Sequence, residues 1–326
     1  MTSAVAMVEH WRGPFLESVH HGHAVVCHAE TGIEKVWGNP DLIVLPRSSA
    51  KMIQALPLIE SGAAQGFGLT AEHLALACAS HSGAPMHVRR VTDWLEALDL
   101  DVSALRCGPR APLGKDAAHQ LVWDHGTPSP LHSDCSGKHS GFLTVTKHIG
   151  AGPEYVQIDH PVQAQVREAW ERVTGETVAG FGVDGCSAPN FATSLAGIAR
   201  AMARYAAAPE DSAMGRLRLA MAKHPELVAG EDRACTNLMR ALDGRVSLKT
   251  GAEGFFVAII PEFKLGIALK IADGAGRAAE CAITAILVKL GILAPDHPVT
   301  HTYLNIALKN WDGLHTGWQR AAPPLC

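Results

Sequence analysis

The chain has 326 residues, enough for one large domain or two of moderate size. Of these, 47% are apolar and 18% charged, the balance of a soluble globular protein and not of a disordered or fibrous one. A net charge of −4 gives no electrostatic footprint for nucleic acid or an anionic membrane, so neither is expected as a partner.

The N-terminal stretch MTSAVAMVEHWRGP lacks a basic start, a long apolar run and a small-residue cleavage site, so no secretory signal is read and a cytoplasmic location is expected. The next segments, HAVVCHA, KVWG and DLIVLP, are rich in Val, Ile and Leu and are punctuated by Gly and Pro, which predicts strands. From residue 48 to about 100 the apolar residues recur at three- and four-residue spacing (SAKMIQALPLIESG, TAEHLALACASH, MHVRRVTDWLEALDL), which predicts helices. Residues 106–136 form a long stretch rich in Gly, Pro and His, a length that marks functional loops. Helical patterns resume at KHSGFLTVTKHI, PVQAQVREAWERVTG, PNFATSLAGIARAMARYAA and SAMGRLRLAMAKH.

After about residue 245, VSLKTG, GFFVAIIP and LGIALKIA read as an antiparallel meander, followed by a helix over GAGRAAECAITAILVKLGI. The apolar window CAITAILVKLGILA contains Lys289 and is too short to span a bilayer, so it reads as a buried helix. The expected fold class is α+β: an antiparallel sheet flanked by helices, with a large helical insertion. Residues 1–47 and 245–326 would form the sheet lobe and residues 48–244 the mostly helical lobe, with a ligand cleft between them. Eight cysteines, at 27, 78, 107, 135, 186, 235, 281 and 326, show no C-x-x-C pair and read as free thiols.

Two short motifs carry chemistry. Ser48-Ser49-Ala50-Lys51 is S-x-x-K at a strand-to-helix junction, where Ser48 also suits a helix N-cap. Lys249-Thr250-Gly251 is K-T-G on a strand. Chance supplies S-x-x-K about 0.5 times in a chain of this length and K-T-G on the order of 0.05 times, so the second motif is the informative one. Together, in this order, they are two of the three elements of serine β-lactamases and penicillin-binding proteins. The third, S-D-N, has two stand-ins: Ser80-His81-Ser82 and Ser133-Asp134-Cys135. In such a site Lys51, buried beside Lys249, would be pushed toward the neutral amine and could activate Ser48, while a second serine relays a proton. The backbone N–H groups of Ser48 and Ala252 would form the oxyanion hole.

The blocks RSSAKMIQALP, CASHSGAPMHV, HSDCSGKHSGF, DHPVQAQV, GVDGCSAPNFA and KTGAEGFF resemble the rhizobial-type L-asparaginases, over residues 10 to 295. The resemblance implies a serine β-lactamase-like fold shared with glutaminases, a homodimer, and hydrolysis of L-asparagine to L-aspartate and ammonia. It also implies two Ser-Lys tandems, Ser48 with Lys51 and Ser80 with Lys249, choosing Ser80 over Ser133; Ser48 is expected to attack. A zinc ion on Cys135, Lys138 and Cys186 is implied in the same way. Spacing alone suggests a different ligand set, Cys135 and His139 with Cys186 and Asp184; two soft thiolates favour zinc over magnesium. Asp184 could take the substrate ammonium and Arg47 its carboxylate, with His139 a further substrate contact. Glutamine hydrolysis, a β-lactam-recognising enzyme, or a non-catalytic zinc or thiol redox-sensing module are the alternatives.

Overall fold

The computed structural model describes residues 3–325, so Cys326 lies outside the described residues. Its eight-stranded antiparallel sheet runs β10-β11-β1-β2-β9-β8-β7, with β3 paired to the distal half of β2. The strands are β1 (Val5–Arg12), β2 (Phe15–His28), β3 (Gly32–Trp37), β7 (Ser247–Gly251), β8 (Phe255–Ile260), β9 (Leu265–Ile271), β10 (Ile306–Lys309) and β11 (His315–Ala321). A small second sheet joins β4 (Ile43–Val44), β6 (Pro189–Ser194) and β5 (Gly180–Val183).

All six residues of β8 are buried, so the sheet needs cover on both faces there. Helices Leu195–Ala207 and Gly276–Lys289 both pack against β8 and β9. The first can do so closely because Gly266 has no side chain: a Cβ there would lie 2.1 Å from Ala203 N and 2.3 Å from Ala199 O. The other long helices, Pro85–Ala97, Ser136–Ile149, Pro161–Thr174 and Ala213–Lys223, lie between β4 and β7 in the chain. The α+β architecture and the 247–271 meander match the expectation. No helix among the described residues is long and apolar enough to cross a membrane.

Four local readings differ. The stretch after Ser48 is not one helix but a 3₁₀ turn (Arg47–Ala50) and two short helices, Lys51–Gln54 and Leu56–Glu60, with Pro57 at the start of the second. PNFATS is strand β6, and Ser194 then caps the following helix by accepting a hydrogen bond from Gly197 N. The long loop contains the helix Lys115–Trp123. The hairpin β10–β11 completes the sheet at the other edge, against β1.

Candidate active site

The edge strand β7 and the end of helix Ala71–Ala77 converge on one hydroxyl, that of Ser80. Lys249 Nζ, from β7, lies 2.8 Å from Ser80 Oγ, and Lys51 Nζ lies 3.0 Å from it. Lys51 also donates to the backbone carbonyls of Ala79 and Asp134, the latter at 3.2 Å, and its amine sits 3.8 Å from the Asp134 carboxylate. Both lysines are buried, with 0% and 1% of their surface exposed. Burial, reinforced by the Lys51 charge, pulls Lys249 down from 10.5 to about 7. Asp134 is held well below the usual carboxylate range: burial works against its charge, but Lys51 and Arg110 outweigh it. Both stand-ins for the third element therefore reach the site: Ser80 meets both lysines, and Asp134 meets Lys51.

Ser80 is fixed by its surroundings. Its N–H donates to Val228 O at 2.9 Å, and the His81 N–H donates to Asp134 O at 3.3 Å. Gly230 lets the 228–233 segment lie on this loop, since a Cβ there would meet Ser82 Oγ at 2.4 Å; its φ of +110° also favours glycine.

The turn carrying Ser48 abuts β7. A Cβ on Gly251 would lie 2.6 Å from Pro46 O and 3.0 Å from Ser49 N, so the glycine of K-T-G makes room for the S-x-x-K turn. The expected cap is absent: neither the 3₁₀ turn nor the helix after it has a side-chain cap. The neighbouring Ser49 instead donates its hydroxyl proton to Pro46 O at 2.7 Å. Ser48 Oγ has no hydrogen-bond partner among the described residues and borders the cleft. Arg47 adopts φ +55°, a left-handed conformation costly for a side chain with a Cβ. Two contacts hold it there. Its N–H donates to Asn190 Oδ1, and its guanidinium bonds the Asp184 carboxylate at 2.6 Å. Burial opposes charge on Asp184, but Lys138 and Arg47 keep its pKa low. Arg47 and Asp184 thus satisfy one another.

A second cluster forms at the start of helix Ser136–Ile149. Gly137 allows that helix to pack on Leu76, where a Cβ would meet Leu76 O at 2.4 Å. Lys138 Nζ donates to Cys186 Sγ at 3.0 Å. A hydrogen bond from the Cys135 thiol, with help from Lys138, lowers Cys186 and leaves Cys135 raised. Burial opposes charge on Lys138, yet the two sulfurs raise it. Two thiols and an amine, all buried, therefore converge as a three-donor set able to hold a thiophilic metal once the lysine sheds its proton. The set suggested by spacing does not form. His139 is fully buried, and its Nδ1 lies 2.8 Å from Tyr155 Oη. Burial, with Lys138 nearby, keeps it neutral. It is not among the residues that border the cleft.

Ser48, Ser80, Cys135, Cys186, Asp184 and Ala252 all border one cleft of about 600 Å³. Arg110, Arg233, Glu280 and Cys107 line it as well, and sequence reading singled out none of them. Arg110 lies in the long loop and bonds Asp134 at 2.7 Å. The loop's length was the signal that could have found it. Arg233 and Glu280 stand in no motif.

The L-asparaginase II family model matches residues 8–321. No curated protein matches the sequence. Among solved structures, the chain is similar to a β-lactamase from Mycobacterium bovis, at 14% identity over 82% of this chain and 94% of that one, with a TM-score of 0.45. It is similar to an octameric penicillin-binding protein homologue from Pyrococcus abyssi, at 11% over 90% and 80%, TM-score 0.40. A third is a Bacillus subtilis glutaminase in covalent complex with 5-oxo-L-norleucine, at 11% over 84% and 89%, TM-score 0.36. With nearly its whole length matched by one family model, the chain belongs to the L-asparaginase II family.

Proposed function

We propose that the protein is an amidohydrolase that converts L-asparagine to L-aspartate and ammonia through a seryl acyl-enzyme. The observation that carries the mechanism is the hydroxyl of Ser80 between two buried lysine amines, one of them pulled to about 7. An amine with that pKa is half neutral at physiological pH and can accept a proton. Ser48, whose hydroxyl has no internal partner, attacks the side-chain carbonyl. Its proton passes to the lysine pair, and Ser80 returns one to the departing ammonia. The oxyanion is received by the backbone N–H groups of Ser48 and Ala252, both at the cleft. Water then hydrolyses the ester, so one water is consumed for each aspartate and ammonia released. A second reading, attack by Ser80 with Lys249 as base, is favoured by their 2.8 Å contact.

Zinc on Cys135, Lys138 and Cys186 belongs to the same proposal, since the donor set fits; when bound it would supply a Lewis acid at the cleft. So do the cytoplasmic location and the homodimer that the family resemblance implies. Glutamine is the competing substrate, and one methylene is worth only about 1–3 kcal/mol of discrimination.

Ammonia release from L-asparagine and L-glutamine by wild type, Ser48→Ala and Ser80→Ala, with metal content checked, tests the reading. Release from asparagine that collapses in Ser48→Ala while Ser80→Ala still forms a trapped ester assigns the attack to Ser48; an ester trapped only in Ser48→Ala assigns it to Ser80. No release from either amide by the folded, zinc-loaded wild type would sink the reading and favour a non-catalytic thiol or zinc module.

A further inference from the structure

The charged side chains bordering the cleft fall into two groups. Four of them neutralise one another, Arg47 with Asp184 and Arg110 with Asp134. Arg233 and Glu280 have no ion-pair or side-chain hydrogen-bond partner among the described residues, and they do not reach each other as an ion pair. Both are half-buried. Glu253, a third unpaired group at the cleft, is exposed, where solvent screens it.

Half-buried charges without partners are costly, and a ligand of opposite charge removes the cost. Here one cation and one carboxylate wait in the same cleft as the serines. Arg233 is held beside the reacting groups: it follows the segment whose Val228 O accepts from Ser80 N, and Cys235 Sγ, two residues on, accepts from Thr250 N at 3.3 Å. Glu280 projects from the first turns of helix Gly276–Lys289, whose Gly276 also borders the cleft. Burial raises the Glu280 carboxyl, with Arg233 opposing, so an incoming ammonium would favour its charged form.

We propose that Arg233 and Glu280 form the clamp for the zwitterionic head group of an α-amino acid, Arg233 taking the α-carboxylate and Glu280 the α-ammonium. This assignment rests on the amidohydrolase reading and replaces Arg47 and Asp184 in the anchoring role, because those two already hold each other. Arg233 and Glu280 are positioning residues; the clamp fixes how far a side-chain amide reaches toward the serines, and so separates a four-carbon from a five-carbon substrate.

Three substrates read the two halves separately: L-asparagine, succinamate (no α-amino group) and 3-aminopropanamide (no α-carboxylate). Arg233→Gln should raise KM for L-asparagine and lower kcat/KM for L-asparagine and succinamate by roughly tenfold to a hundredfold, the range of a charge-assisted hydrogen bond, leaving 3-aminopropanamide little changed. Glu280→Gln should lower kcat/KM for L-asparagine and 3-aminopropanamide and spare succinamate. Arg233→Lys should recover part of the loss. Equal losses on all three substrates, or no loss on L-asparagine, would overturn the clamp. If the wild type hydrolyses no amide, the amidohydrolase reading fails on its own, and calorimetry with L-asparagine and L-aspartate still decides. Binding that both glutamine variants lose supports the clamp; no binding, or binding indifferent to both substitutions, overturns it.

Discussion

Replacing Lys249 by methionine should cripple activity and, below neutral pH, stabilise the protein. The amine is buried, with 1% exposed, so solvent screening removes little. A fall from 10.5 to about 7 places a penalty of about 5 kcal/mol on its ammonium form, at about 1.4 kcal/mol per pH unit. Methionine has nearly the same volume and carries no such penalty. It does forfeit the contacts with Ser80 Oγ and Thr250 O, together worth about 1–3 kcal/mol. The net gain is about 2–4 kcal/mol, or roughly 5 °C in Tm for a chain of this size. The pH dependence has a fixed sign. Below pH 7 the lysine binds a proton in both states and the penalty is fully present. Between about 7 and 10.5 the unfolded chain keeps that proton while the native one has lost it, so wild-type stability climbs with pH. The Tm advantage of Lys249→Met should therefore shrink toward zero, or reverse, by pH 10, while activity is down by about 10³-fold throughout. Melts of both proteins from pH 6 to 10 check this; an advantage constant across that range would refute the buried low-pKa amine.

The metal and the sheet give two more expectations. Cys186→Ser should bring zinc, measured by elemental analysis of the purified protein, from about one ion per chain to near none, while Cys27→Ser leaves it unchanged; equal zinc in both variants would dismiss the three-donor set. Gly266→Val should lower the urea midpoint with an unchanged m-value, by the equivalent of about 3 kcal/mol. That is the upper end for overpacking, because the blocking atoms, Ala203 N and Ala199 O, are helix backbone and not a movable side-chain tip.

What could be read from the sequence was local in origin. S-x-x-K and K-T-G are short, and strands as uniformly apolar as FFVAII declare themselves. Ser80 could be chosen over Ser133 only through the family resemblance, since nothing in CASHSG shows that lysines 29 positions before and 169 positions after will close on it. The cap at Ser48 failed because Ser48 lies inside the 3₁₀ turn: the cap positions fall on Pro46 and Ala50, neither of which is extended or has a side chain able to accept. His139 failed on rotation: three residues on from Cys135 points to the thiols, whereas four residues on points to Tyr155. PNFATS was masked by its run-on into a strongly helical segment, and β11 by the polar residues of a half-buried strand, HTGWQRA. Arg233 and Glu280 left no trace, because a charged side chain without a bonding partner can be recognised only once the fold shows what it touches.

The contact between Gly251 and the Pro46–Ser49 turn bears on how such an enzyme can change over generations. A side chain at 251 would push into the carbonyl of residue 46 and the amide of residue 49, so two segments 200 positions apart behave as one heritable part. Recombination that brings in the K-T-G strand from a distant relative without its matching Ser-Lys turn should give chains that fold and do not catalyse. Variation is freer in the helix Lys115–Trp123 of the long loop, none of whose residues is buried or borders the cleft, so sequence drift there leaves the pair of motifs undisturbed.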